Sequence, residues 1–151
     1  MKRDILFQYT DAWLLLSIIY ASKQKAASLA EIIACGDFAN HAIFTWEELQ
    51  GGIFRLINSG YVIEQGDKYK VSCNITNAYN KFAKKNKSVF KQLTFIRQEL
   101  KSPEWSEAYN PSKANEGISY EKINKEVVKS AYGEYKRKFW NKTRNNLGVT
   151  H

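Results

Sequence analysis

The sequence predicts a mainly α fold with one small two-stranded β-hairpin and further helices after it. Two capping boxes and one turn signal carry this prediction. Ser28-Leu29-Ala30-Glu31 and Thr45-Trp46-Glu47-Glu48 each open a stretch with apolar residues at helical spacing. In each box the Ser or Thr hydroxyl accepts from the amide three residues on, and the Glu accepts from the cap's own amide, so two orphan donors are satisfied at a helix start. Downstream, Tyr61 to Gln65 and Lys68 to Ser72 alternate or are β-branched around Gly66-Asp67, which suits a two-residue primed turn.

The elements follow in order. A first helix is expected to start near Thr10, with Asp11 favourable at its positive end, and to run through Trp13, Leu14, Leu15, Leu16, Ile18 and Ile19 to about Ser22. Apolar on every side, it should be central. A second helix begins at Ser28 and carries Leu29, Ile32 and Ile33 to Gly36, a stop or kink. The third, Thr45 to Ser59, sets Trp46, Leu49, Ile53, Leu56 and Ile57 on one inward face, with Gly60 beyond its end.

After the hairpin, Ile75, Tyr79, Phe82, Asn86, Val89, Leu93, Ile96 and Leu100 alternate steps of 4 and 3 residues. This spacing fits a heptad seam with Asn86 as its one polar member, a placement that sets pairing register between copies. It equally fits two helices broken at Asn86-Lys87-Ser88, with Ser88 capping the second and each packing on its own core. Residues 102–118 hold both prolines and read as a long loop, with Trp105 and Tyr109 as either pins or contact residues. Ser119 is expected to open a last helix to about Asn141, followed by a frayed tail.

The chain has 151 residues and a net charge of +8. Residues 1–70 hold 7 Lys and Arg against 8 Asp and Glu, whereas residues 71–151 hold 16 against 7, which points to a polyanionic partner for the second half. Cys35 and Cys73 form no close-spaced motif and fit a reducing compartment. The longest apolar run, Ala12 to Tyr20, is too short to span a bilayer, and Met1-Lys2-Arg3-Asp4 has no signal-peptide core behind it; a cytoplasmic protein that does not enter a membrane is expected.

No constellation suggests catalysis. His41 and His151 are the two imidazoles, and Cys35, Asp37 and His41 lie close in sequence without a nucleophile elbow or oxyanion loop. Gly51-Gly52 lies inside a helix without a following Lys-Ser/Thr, so it is no phosphate loop. Two cysteines and one internal histidine do not make a closed zinc site. Neither cofactor nor metal is expected.

Arg55-Leu56-Ile57-Asn58-Ser59-Gly60-Tyr61 followed by Tyr69-Lys70-Val71-Ser72 resembles the end of the recognition helix and the wing in winged-helix regulators of the MarR and PadR type. The resemblance implies a winged helix-turn-helix over residues 1–74, a helical extension over 75–101 available for dimerisation, the loop 102–118, and a basic helix over 119–144 packing back on the domain. It also implies a non-enzymatic, DNA-binding transcriptional regulator, with a homodimer as the expected state. In such proteins the exposed face of the third helix enters the major groove. Here that face carries Glu47, Glu48, Gly51, Arg55 and Asn58, with Gln50 at its edge; the donors are Gln50, Arg55 and Asn58, and the two carboxylates repel phosphates.

Lys68 and Lys70 of the wing, and Lys122, Lys125, Lys129 and Lys136 on one side of the last helix near Trp140, complete the candidate DNA contacts. Arg137, Lys138, Lys142 and Arg144 extend that cluster, while Ile123, Val127, Ala131, Tyr135 and Phe139 form the packing stripe. The alternative function is a protein-interaction or assembly module that does not bind DNA. Its interface would be Glu47, Gly51 and Asn86, because a glycine on an outward helix face costs up to about 1 kcal/mol and is explained by a close approach from a partner.

Overall fold

The computed structural model describes residues 5–140 and is mainly helical, with one two-stranded antiparallel sheet. Three helices, α1 (Tyr9–Ala21), α2 (Leu29–Asn40) and α3 (Trp46–Asn58), precede the hairpin β1 (Val62–Gln65) and β2 (Lys68–Val71). Then come α4 (Cys73–Ala83), α5 (Val89–Leu100), the single turn α6 (Pro111–Ala114) and α7 (Lys125–Tyr135), whose last turn widens into a π-helix over Lys136–Trp140. No helix among the described residues is long and apolar enough to cross a membrane.

The expected central helix is central. Thr10 to Ile19 are all buried, and α1 packs against α2, α3, α5 and β2. It starts one residue before the expected Thr10: the Gln8 amide donates to Asp11 Oδ2 at 2.7 Å, and Thr10 is buried inside the first turn. Both capping boxes form, with Ser28 N–H donating to Glu31 Oε1 and Thr45 N–H to Glu48 Oε1, each at 2.9 Å. Helix α2 does not stop at Gly36. A side chain there would meet the Phe44 ring, since an added Cβ would lie 2.3 Å from Cε2, and the Gly36 carbonyl accepts from Trp13 Nε1. The helix ends at His41 in the left-handed conformation, φ 52°.

In the hairpin, Gln65 pairs with Lys68, and Gly66 has φ 65° while Asp67 keeps a negative φ, the sign pattern of a II′ turn. Ala27, between α1 and α2, exchanges backbone hydrogen bonds with Tyr69 and adds a third, one-residue edge to the sheet.

The 75–100 seam is two helices, not one. The chain leaves the helix after Ala83, Asn86 Nδ2 donates back to the Phe82 carbonyl, and the Ser88 hydroxyl caps α5 by accepting from Lys91 N–H. Asn86 therefore sits half-buried in a turn rather than at a pairing position. Ile75, Tyr79, Ile96 and Leu100 are buried in the chain's own core, and Phe82 stacks on Phe95 at 4.6 Å. A partner seam built on these residues would first have to unpack that core.

The last helix starts later than Ser119. Asn124 is its cap, accepting from Val127 N–H at 2.9 Å, so Ile123 and Lys122 precede the helix. Val128, Ala131 and Tyr135 face inward, and Val127 is exposed. Lys142, Arg144 and the tail after them lie outside the described residues, as does Met1-Lys2-Arg3-Asp4.

Candidate nucleic-acid interface

The face of α3 expected to reach a partner is covered by its own chain. Of the helix's 13 residues only Asn58 is exposed. Arg55 is 7 % exposed, and its guanidinium donates from Nε and Nη2 to the two oxygens of fully buried Asp11, at 2.7 and 3.0 Å. A charge removed from water needs such a bidentate partner, and this one leaves Arg55 unavailable to a base edge. Gln50 is engaged as well, donating to the Ile123 carbonyl at 2.7 Å and to that of Tyr120.

The close approach at Gly51 comes from Asn115. A Cβ on Gly51 would lie 1.8 Å from Asn115 Oδ1, while Asn115 Nδ2 donates to the Glu47 carbonyl at 2.7 Å and its Oδ1 accepts from Arg55 Nη1. Glu47 and Gly51 thus form an intramolecular seat for the segment after α5, not a vacant interface. Gly52 serves the other side of the helix, where a Cβ would lie 2.4 Å from Leu14 Cδ2 of α1. Tyr109 pins the same covering segment: its hydroxyl and that of Thr10 are 2.8 Å apart, whereas Trp105 is exposed.

The predicted lysines divide. Lys122 bridges to Glu64 at 3.1 Å and donates to the Gly66 carbonyl, fastening the hairpin rather than continuing a helical stripe. Tyr120 joins this latch by donating to Glu64, and these two contacts hold the Glu64 carboxyl below its ordinary range. Lys125, Lys129 and Lys136 are exposed on α7 and its π turn, with Lys136 over the Tyr132 ring. Lys68 and Lys70 are exposed on β2.

A larger donor surface lies next to β2. Residues 68–98 contain eight Lys and Arg and no Asp or Glu. Arg97 pairs with Glu104. The seven lysines, 68, 70, 81, 84, 85, 87 and 91, are all exposed, and none has a carboxylate within 4.0 Å among the described residues. At about 100° per residue, Asn74, Asn77, Asn80, Lys81, Lys84 and Lys85 fall on one side of α4 and its C-terminal end. All six are exposed, and opposite them Ile75 and Tyr79 are buried. That side presents amides and ammonium groups, with Cys73 among them and no carboxylate, and these are the donors that phosphates and base edges accept. Its signal in the sequence is the carboxylate-free run; periodicity drew attention only to the apolar side of the same helix.

Two clefts border this face. One, about 740 Å³, lies among α1, α2, α4 and α5; the other, about 600 Å³, lies between the hairpin and α4. Lys23 and Asn80 line both, so the two clefts adjoin; Lys70 lines the one beside the hairpin, and Lys84 and Lys87 line the other. Among the described residues no carboxylate lines either cleft. Among the described residues no cluster of three or more His, Cys, Asp or Glu is arranged to hold a metal ion. Comparison with models of known protein families, with curated proteins and with solved structures finds no match.

Proposed function

We propose that this chain is a non-enzymatic, cytoplasmic winged-helix protein that binds DNA through backbone phosphates, using α4 and β2 in place of α3. The helix, helix, hairpin order and the Ala27–Tyr69 bridge support the winged-helix assignment. The carboxylate-free face of Asn74, Asn77, Asn80, Lys81, Lys84 and Lys85 beside Lys68 and Lys70 carries the choice of docking surface. Counterion release from phosphates supplies affinity with little sequence preference, and the three asparagines are the groups that would add base contacts.

The test is a salt titration of duplex binding. Each phosphate contact contributes about 0.9 to the slope of log K against log salt, so Lys81→Gln/Lys84→Gln/Lys85→Gln should flatten the slope by about 2 to 3. A wild-type affinity that does not change with salt would refute DNA binding.

A protein partner is the second reading, moved from α3 to this same region. Phe90, 77 % exposed between Lys87 and Lys91, favours an acidic partner with an apolar anchor. Phe90→Ala would then abolish partner capture, whereas phosphate-driven DNA binding would keep its affinity.

A further inference from the structure

We infer that a small cleft at the start of α4 binds a free α-amino acid with a small side chain, its carboxylate on the helix end and its ammonium toward Glu99. The site stands whether or not the chain binds DNA. The cleft lies between the Ser59–Tyr61 link that follows α3, the first turns of α4 and Glu99 in the last turn of α5. Its volume, about 280 Å³, falls just short of the roughly 300 Å³ at which sites for drug-sized ligands begin, so the occupant is small.

The helix end is prepared for a carboxylate. Ser72 is the N-cap of α4 and has the backbone of a working cap, φ −74° and ψ 154°, close to that of Thr45. The Thr45 hydroxyl accepts from Glu48 N–H at 3.1 Å, but the Ser72 hydroxyl makes no such bond. Ser72 lines the cleft and is 7 % exposed, and its buried Oγ has no hydrogen-bond partner among the described residues. The amides of Cys73, Asn74 and Ile75 likewise donate to no acceptor among them. A buried hydroxyl left unpaired is costly, and a carboxylate that accepts from it and from a helix amide relieves that cost at the positive end of the helix dipole. The first turn of α4 holds no acidic residue to take that place.

Glu99 decides between a simple anion and a zwitterion. It lines the same cleft, is exposed, and has no Lys or Arg nitrogen within 4.0 Å among the described residues. Among those residues no Lys or Arg lines the cleft either. A phosphate or a plain carboxylate there would face Glu99 with no cation to offset it, and an amine alone would face the positive end of α4. An ammonium joined to a carboxylate through one carbon satisfies both. Burial, and then Glu99, raise the Tyr61 phenol above its ordinary range, so it lines the cleft as a neutral hydroxyl. The apolar wall is short, Ile75 and Ala78, which suits a side chain no larger than a methyl or hydroxymethyl group.

The experiment titrates the full chain with L-alanine by calorimetry, beside propionate, which lacks the ammonium, and L-alaninamide, which lacks the carboxylate. L-alanine should bind saturably at one site, and each analogue about tenfold more weakly, the loss expected for one charge-assisted contact. Glu99→Gln, a change at an exposed position, should weaken L-alanine about tenfold and leave propionate no weaker. Ser72→Ala should weaken both carboxylates and leave the unfolding midpoint of the ligand-free protein unchanged, because its hydroxyl has no bond to lose. No saturable binding of L-alanine, equal binding of either analogue, or L-alanine affinity unaltered by Glu99→Gln overturns the proposal. So does a Ser72→Ala variant that unfolds earlier while binding L-alanine as before, since the hydroxyl would then be only a cap.

A measurement on the unaltered protein keeps the test independent of variant folding. Saturating L-alanine should shift the amide proton and nitrogen resonances of Cys73, Asn74 and Ile75, and leave that of Val127, which Asn124 caps, where it was. Shifts centred away from the start of α4 overturn the proposal.

Discussion

Gly51 is a glycine because Asn115 occupies the place of its side chain. Gly51→Ala must push Asn115 off both the Glu47 carbonyl and Arg55. The cost should be about 1–3 kcal/mol in urea unfolding, as for other over-packed sites. In an Asn115→Gly background the same alanine should cost far less; additive losses would show that the two residues do not meet. Arg55 and Asp11 are coupled more strongly, because neither is solvated alone. Arg55→Met strands a fully buried carboxylate and should cost about 3–5 kcal/mol, much of it recovered when Asp11→Leu is added. Tyr109 reports on the same cover in alkali. Burial, reinforced by Glu48 and Asp11 and opposed by the Thr10 hydrogen bond and Arg55, pushes its phenol up to about 12. Its folded pKa exceeds the unfolded value of about 10, so its stabilising contribution is complete below pH 10 and is lost as pH rises through 12. Tyr109→Phe should therefore make the decline of unfolding free energy over that window shallower than in wild type.

Helix starts were legible where the cap and its partner sit three residues apart, as at Ser28 with Glu31 and Thr45 with Glu48. The hairpin was legible for the same reason, since Gly66-Asp67 sets its own turn. What covers α3 was not, because the Asn115 bond to Glu47 joins residues 68 apart and no local pattern announces it. The 4-and-3 spacing across residues 75–100 survives a break because α4 and α5 both turn apolar residues toward one core; periodicity alone does not distinguish that from one rod. At α7 two caps competed, Ser119 and Asn124. The residues between them are held elsewhere: Tyr120 and Lys122 on Glu64, and the Tyr120 and Ile123 carbonyls on Gln50. Asn124→Ala should consequently cost about 1 kcal/mol, the typical value of a lost N-cap, with the helical circular dichroism of α7 fraying first. Ser119→Ala, exposed and outside the helix, should stay within about 0.5 kcal/mol. A larger loss at Ser119 than at Asn124 would place the helix start where the sequence alone had it.

The net charge of +8 belongs to one stretch of chain. Outside residues 68–98 the molecule carries 15 Lys and Arg and 15 Asp and Glu, so α1 to α3, α6 and α7 sit in a balanced body to which a cationic face is attached. Dividing the chain at residue 70 concealed this, because it averaged α7, where Lys138 pairs with Glu134, together with α4. The distinction matters because at physiological salt exposed charges act over a Debye length of about 8 Å, so position rather than total decides which cations a phosphate meets. Helix α7 packs on α2 and α3, whereas α4 packs on α5. Lys125→Gln/Lys129→Gln/Lys136→Gln and Lys81→Gln/Lys84→Gln/Lys85→Gln each remove three charges and leave molecules of equal net charge. If phosphates dock on α4, the second variant should lose about 2 to 3 from the salt slope of duplex binding and the first less than about 1. Equal losses would mean that DNA answers to the overall field and that the α4 face has no privileged role. A loss confined to the α7 variant would return the interface to the C-terminal helix.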